Sequence, residues 1–318
     1  MSVVVPVHNC RETIAKCLYA LGNLEHPSYE VIIVDDGSTD DTASVAESFE
    51  WCTVIRLDKG GPSRARNVGV AAAQGQFVAF TDGDCRVDPR WLTELAQGFN
   101  AADVAGVGGD QRSPDDETAA GRLIQEFFRS VGFMTGYITT SGRQGETDHN
   151  PSCCSAYRTA VFNEVGGFDE QLWPGEDVDL DYRIRRKGYR LVFNPRAVVS
   201  HYRPKTIGGL ARMMSRYGAC QWPLMRRYGL FRKLHYEPIA LIAGLVCACL
   251  FLWLEPQLWP ILLLPLPVMF LWFLGKSQSL KKAIQFSYML VVTLLAWNWG
   301  FFRAALSSGW TGRTRFDN

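Results

Sequence analysis

The sequence predicts an α/β fold: a mixed, mostly parallel sheet with helices on both faces, followed by C-terminal transmembrane helices. Three observations carry this reading. Over the first 110 residues, short β-branched runs alternate with stretches of helical spacing. Short continuous apolar strands separated by helices mark a sheet covered on both faces. From Pro238 to Leu274 there are 37 residues and one charge, Glu255, and from Ala283 to Phe302 there are 20 residues and none. Finally, 33 lysines and arginines against 32 acids give a formal charge of +1. That balance excludes a disordered polyelectrolyte and offers no global case for nucleic-acid binding.

The elements follow in order. Ser2 to Val7 is a strand, and Arg11 to Leu24 has helical spacing with Ile14, Leu18 and Leu21 on one face. Glu30 to Val34 is a strand ending at Asp35-Asp36, and Thr42 to Phe49 reads as helix. Thr53 to Leu57 is a third strand and Ser63 to Ala73 an alanine-rich helix. Gln76 to Thr81 is a fourth strand, ending at Asp82-Gly83-Asp84. Pro89 to Phe99 is a helix with proline at its start, where proline is tolerated. Val104 to Gly108 is a fifth strand. Arg122 to Val131 is helical, Thr139 to Asn150 a mobile loop, and Ser152 to Tyr157 a strand. A turn at 166–169 precedes a helix at Asp177 to Lys187 and a strand at Tyr189 to Asn194. These elements make residues 1–202 one catalytic-type domain.

Residues 203–237 differ in kind. Arg203 to Lys233 holds eight cations and no acid, interleaved with Met213, Met214, Trp222 and Phe231. This mixture suits an amphipathic segment on an anionic membrane face. Residues 238–306 form a membrane domain of two to three spans, with 307–318 as a tail. Thirty-seven helical residues at ~1.5 Å each exceed a ~30 Å hydrocarbon core, so Glu255-Pro256 marks a turn between two spans. Pro260, Pro265 and Pro267 make the second span irregular. Lys276, Lys281 and Lys282 fall on the side of the basic segment, as the positive-inside rule asks. Arg313 and Arg315 fit that rule poorly for the third span. Met1-Ser2 runs into a short apolar stretch without a basic lead, so no signal peptide is expected and the first domain is placed in the cytosol, at a plasma (inner) membrane. The nine cysteines show no CxxC pair or zinc spacing, and free thiols are expected.

Four groups of residues carry chemistry. Asp35-Asp36 sits at a strand end, where a carboxylate accepts hydrogen bonds from a nucleobase or ribose; cap and turn chemistry would equally use these residues. Gly60-Gly61-Pro62-Ser63-Arg64-Ala65-Arg66-Asn67 places glycines before a helix start, near a ligand phosphate or ribose. Neither a Walker loop nor a GxGxxG fingerprint is present. Asp82-Gly83-Asp84 offers two carboxylates able to hold a hard divalent cation against a diphosphate leaving group. Glu176-Asp177-Val178-Asp179-Leu180-Asp181 holds four acids in six positions, more than a helix start needs; one is a candidate general base.

With these four in order, residues 2–200 resemble the family-2 glycosyltransferases of the GT-A fold. The match is carried by Val5-Pro6-Val7-His8-Asn9, VDDGSTD, ARNxG, DGD, GGFDE at 166–170 and GEDxDLxYR at 175–183. The resemblance implies a UDP-, GDP- or dTDP-sugar donor, inversion at the anomeric carbon, and a lipid-linked or glycan acceptor. It implies donor contacts from Pro6, Val7, His8, Asn9, Asp35, Asp36, Arg64, Asn67, Asp82, Gly83 and Asp84. It places Mg²⁺ or Mn²⁺ on Asp84 and Asp82, and catalysis on Asp177 with Glu176 beside it. His8 stands where relatives often carry Tyr. The QxxRW signature of processive synthases is missing at Arg212 to Tyr217, which favours transfer of a single sugar over polymerisation. The competing readings are a polysaccharide synthase, a non-catalytic membrane scaffold and a nucleotidyltransferase. Intact Asp82, Asp84 and Asp177 speak against the scaffold, and the first strand's lack of a glycine-rich, lysine-bearing loop against the last.

Overall fold

A computed structural model of the chain describes residues 1–132 and 144–307. It divides into two compact units, Met1–Arg203 and Pro204–Asn318.

The first unit is built on a nine-stranded mixed sheet. Its elements run β1 (Ser2–Val7), α1 (Ile14–Leu21), β2 (Glu30–Asp36), α2 (Thr42–Glu47), β3 (Thr53–Leu57), α3 (Pro62–Ala72), β4 (Phe77–Phe80), β5 (Cys85–Val87), α4 (Trp91–Gly98), β6 (Val104–Arg112), α5 (Ala119–Val131), β7 (Gly145–Thr147), β8 (Ser155–Arg158), α6 (Thr159–Glu164), α7 (Glu176–Arg186) and β9 (Arg190–His201). The strand order is β3-β2-β1-β4-β8-β6-β9-β5, with β7 added on β9. The pairs β3-β2, β2-β1, β1-β4 and β6-β9 are parallel, and β8 enters antiparallel between β4 and β6.

The period-2 alternation of strand side chains explains the two cores. Val3, Val5 and Val7 of β1 point to one face, with Val31 and Ile33 of β2, and pack with Ile14 and Leu18 of α1 and Trp91 and Leu95 of α4. Val4, Ile32 and Val34 point to the other, with Val70 of α3, Phe162 of α6 and Leu180 and Ile184 of α7. A sheet buried on both faces needs the unbroken β-branched runs that the sequence shows.

Differences from the sequence reading have local causes. Helix α1 starts at Ile14 because the Cys10 carbonyl accepts from both Thr13 and Ile14 N–H, making Cys10 to Thr13 a turn. Strand β2 continues through both aspartates, since Asp35 pairs with Val7 on one side and Arg56 on the other. Strand β9 runs on to His201 past a register shift opposite Gly109-Asp110. Three-residue β5 and β7 and six-residue α6 are too short to show a period. The expected loop at 139–150 lies partly outside the described residues; within it, Gly145–Thr147 pairs antiparallel with β9.

The second unit holds α8 (Ile207–Tyr228), α9 (Glu237–Leu254), α10 (Pro265–Ser277) and α11 (Leu280–Leu306). Three stretches, Lys233–Leu254, Pro256–Ser277 and Leu280–Leu306, are long and apolar enough to cross a membrane. The second opens as a tight 3₁₀ turn from Pro256 to Leu263, where Pro260 lacks the N–H an α-helix needs. Helix α8 does not stand alone. Its Gly218 lies where a Cβ would come 2.0 Å from the Trp297 carbonyl, and a Cβ on Gly300 would come 1.8 Å from the Ser215 carbonyl. The two glycines let α8 and α11 cross at backbone contact, the usual role of small residues between membrane helices. Leu210, Met214 and Leu224 of α8 are buried, while Arg212, Arg226 and Arg227 are exposed. The Asn298 amide donates to Glu237 Oε1 at 2.9 Å, tying α11 to the start of α9. Arg313 and Arg315 lie outside the described residues.

Candidate active site

The chain goes from β1 outward to β2 and β3, then returns to β4 on the other side of β1. The crevice beyond the carboxyl ends of the strands at such a switch point is where open α/β sheets bind ligands. Here those ends carry His8-Asn9 after β1, Asp35-Asp36 on β2 and Asp82-Gly83-Asp84 after β4. Strands lie ~4.8 Å apart, so parallel pairing in this order gathers the three groups within about two strand spacings.

The first loops are knitted by their own side chains. Asp35 accepts from the Ser38 hydroxyl and, at 3.3 Å, from Ser38 N–H. Asn9 accepts from Thr39 N–H at 2.8 Å, and its own N–H donates to Ser38 Oγ at 2.9 Å. The two oxygens of Asp36 accept from Gly60 N–H at 2.7 Å and Gly61 N–H at 2.8 Å, which fixes the loop entering α3. Pro6 and Val7 complete β1 in the core, and the buried Nδ1 of His8 has no partner among the described residues. Gly83 lies against β1, where a Cβ would come 2.8 Å from Val7 Cγ1.

Helix α3 aims its polar residues in different directions. Arg64 donates to the Asp58 carbonyl at 3.1 Å. Asn67 is held by the 166–170 turn: its Oδ1 accepts from Phe168 N–H and its amide donates to the Phe168 carbonyl, both at 2.9 Å. Arg66, part of the ARNxG stretch but without a role in the sequence reading, is buried. Its guanidinium donates to Asp82 Oδ1 and to Glu176 Oε1, each at 2.8 Å. It also lies over the Phe168 ring, 5.6 Å from its centroid. The signal was periodicity: Arg66 stands at i+3 between buried Ser63 and Val70, on the same face as buried Ala65 and Gly69.

The four acids of α7 separate by partner. Glu176 pairs with Arg66, and both side chains are 4% exposed. Burial and the neighbouring Asp177 carboxylate push the Glu176 carboxyl up to about 8, against the pull of Arg66. Asp179 accepts from Arg183, whose other nitrogen donates to the Gly167 carbonyl and clamps the 166–170 turn to α7. Asp181 is fully buried, meeting His149 Nδ1 at 2.7 Å, Asn150 N–H at 2.6 Å and the Tyr157 hydroxyl at 2.9 Å. Asp177 alone of the four keeps appreciable access, at 19% exposure. It accepts from Ser152 N–H at 3.3 Å and from Val178 N–H at 2.8 Å.

Asp82, Asp84, Cys85 and His201 bring one ligand atom each within 4.8 Å of one another. Pairing of β5 with β9 sets Cys85 opposite His201, so the long β9 delivers the imidazole to the Asp82-Asp84 loop. His201 Nε2 lies 3.6 Å from Asp84 Oδ1, and its buried Nδ1 has no partner among the described residues. Burial next to Cys153 pushes the Cys85 thiol up, and a soft sulfur is in any case a poor match for a hard cation. Two carboxylates and an imidazole fit a hard divalent cation such as Mg²⁺ or Mn²⁺. His201 carried no sequence signal, since it lies 117 positions from Asp84 and its strand was read as ending at Asn194.

Comparisons with known proteins agree with this fold. The fold matches the GT-A-type mannosyltransferase PcManGT from Pyrobaculum calidifontis, solved with GDP-Man and Mn²⁺, at a TM-score of 0.62 and 18% identity, over 97% of this chain and 87% of that one. The chain is 32% identical over 238 residues to glycosyltransferase AglE of Haloferax volcanii, covering 71% of this chain and 75% of that protein. It is 31% identical over 238 residues to the pre-mycofactocin glycosyltransferase of Mycobacterium tuberculosis, covering 72% of this chain and 48% of that protein, about half of its length. A sequence profile of glycosyl transferase family 2 matches residues 2–166, and the chain belongs to that family.

Proposed function

We propose that this chain is a membrane-anchored inverting glycosyltransferase that moves one sugar from a UDP-, GDP- or dTDP-linked donor to a lipid-linked or glycan acceptor at the cytosolic membrane face. The observation that carries the reading is the set of carboxylates around the switch-point crevice, with Asp177 alone of the α7 acids keeping access to solvent. Asp35, Asp36 and the loop after β1 face the nucleoside. Asp82, Asp84 and His201 would hold the divalent cation, whose charge offsets that developing on the departing diphosphate. Asp177 takes the proton of the attacking hydroxyl, and its backbone hydrogen bonds hold it for that task. Arg66 joins the donor-side acid Asp82 to Glu176 beside the base, so the two halves of the site keep one geometry. The three apolar stretches and the cations at Lys276, Lys281 and Lys282 support a membrane-bound acceptor and a cytosolic site.

The test uses the full chain in detergent with Mn²⁺ and four probes: GDP-mannose, UDP-glucose, UDP-N-acetylglucosamine and dTDP-rhamnose. Release of nucleoside diphosphate is read for each. One donor should turn over, and chelator or Asp84→Ala should abolish the release while the protein stays folded. Full activity in chelator contradicts the metal assignment, and no release from any donor contradicts the function.

A further inference from the structure

Beside the base Asp177, Asp181 and His149 form a pair that donor binding and proton abstraction do not themselves use. Asp177 and Asp181 are four residues apart on one helix and therefore share a face. His149, which follows β7, spans the pair: its Nδ1 is 2.7 Å from Asp181 Oδ2 and its Nε2 is 3.8 Å from Asp177 Oδ2. Both His149 and Asp181 are buried. The carboxylate of Asp181 accepts from the Asn150 N–H and the Tyr157 hydroxyl as well, so its surroundings are donors. With Nδ1 held against Asp181 by this contact, the ring is fixed and its Nε2 edge is turned toward Asp177.

We propose that His149, anchored by Asp181, is a positioning residue that orients Asp177 during transfer. The inference rests on the assignment of Asp177 as the base. The proton balance is simple. The O–H bond of the attacking hydroxyl breaks and an O–H bond forms on Asp177. The proton stays on Asp177 until product leaves, and no further reactant is needed. The ring edge beside Asp177 Oδ2, with Ser152 N–H on the same oxygen and Val178 N–H on Oδ1, holds the carboxylate in one orientation, and a base held rigidly within reach of the hydroxyl raises kcat.

The test is a double-mutant cycle on the full chain, using the sugar nucleotide that turns over fastest among the four probes and water as nucleophile. His149→Phe keeps a ring and removes both nitrogens. It should lower kcat by roughly 10–100-fold, the usual cost of a small misplacement of a catalytic group. The donor KM and the affinity for Mn²⁺ with the matching nucleoside diphosphate should stay at wild-type values, which a general structural defect would not spare. His149→Gln, whose amide can still bond Asp181, should recover part of kcat; it also serves as the comparison if the Phe variant does not fold. In the Asp177→Asn background, His149→Phe should cost nothing more, because His149 acts through Asp177. Wild-type kcat in the His149 variants, or losses that multiply in the double variant, overturns this inference alone. Wild-type kcat in Asp177→Asn overturns the assignment of the base, and this inference with it.

Discussion

Arg66 is the most consequential residue that the structure adds. Its guanidinium bridges Asp82 and Glu176 at 2.8 Å each, inside the core face of α3. Arg66→Ala leaves Asp82, Glu176 and Asp177 without a cation between them. Removing one partner of a buried ion pair typically costs about 3–5 kcal/mol, because the other charge is left uncompensated. The Glu176 side of the bridge is 4% exposed and earns that range, whereas Asp82, at 27%, adds little through solvent screening. Glu176 is pushed up to about 8, so at pH 7 most of it is already protonated and Arg66 meets a neutral carboxyl, a hydrogen bond to a charged group that contributes about 1.5–3 kcal/mol. The ion-pair range applies only once Glu176 ionises, so the loss should grow toward pH 9. For a unit of about 200 residues, each kcal/mol moves Tm by roughly 2–4 °C, so Tm at pH 7 should fall by roughly 3–12 °C. Arg66→Lys keeps the charge but has no planar fork to reach two carboxylates at once, and should fall between wild type and Arg66→Ala. Thermal unfolding of the full chain in detergent, followed by intrinsic fluorescence, reads the change. A Tm within 2 °C of wild type for Arg66→Ala, at pH 7 and pH 9 alike, would refute this reasoning.

Two further predictions follow from the same geometry. The folded state holds a proton on Glu176 that the unfolded chain releases above about pH 4.3, so stability from this group falls as pH rises from there to about 8. Glu176→Gln removes that dependence, and its Tm advantage over wild type should widen between pH 5 and pH 8; a constant difference would count against the raised carboxyl. In the second unit, Gly218→Val puts a side chain into the Trp297 carbonyl and should separate α8 from α11, lowering the yield of monodisperse protein in detergent, whereas Gly244→Val, where a Cβ meets open space, should not. Equal yields from the two variants would mean that the α8–α11 contact is not needed for folding.

Much of the fold was legible because its strands are buried on both faces and so carry unbroken apolar runs. The β1 bounds were readable to the residue for that reason, while β3, a half-exposed edge strand, was read from its β-branched Thr53-Val54-Ile55 run. The acids were legible for a related one: a carboxylate costs too much in the body of such a sheet, so Asp35, Asp36, Asp82 and Asp84 mark strand ends. What stayed hidden depends on contacts distant in sequence. Arg66 meets Glu176 across 110 positions, and His149 meets Asp181 across 32. His201 reaches Asp84 only because β9 continues past its irregularity, where the bulge interrupts the alternation that would have announced it. The four acids of α7 looked alike in the sequence, and their partners alone tell them apart. The packing of α8 of the basic segment on α11 was not legible, because the two glycines that seat it there carry no hydrophobic signal.

The central claim is that Asp177 is the base working beside a donor site it does not itself build. The most direct measurement compares Asp177→Asn with wild type in two readouts on the full chain, using the probe donor that turns over fastest. The substitution keeps size and removes the base. Nucleoside diphosphate release should fall by roughly 10²–10⁴-fold, the usual worth of general-base catalysis. Affinity for the same nucleoside diphosphate with Mn²⁺, measured by calorimetry, should stay at the wild-type value. Release at the wild-type rate, or a loss of nucleotide affinity matching the loss of rate, would contradict the account.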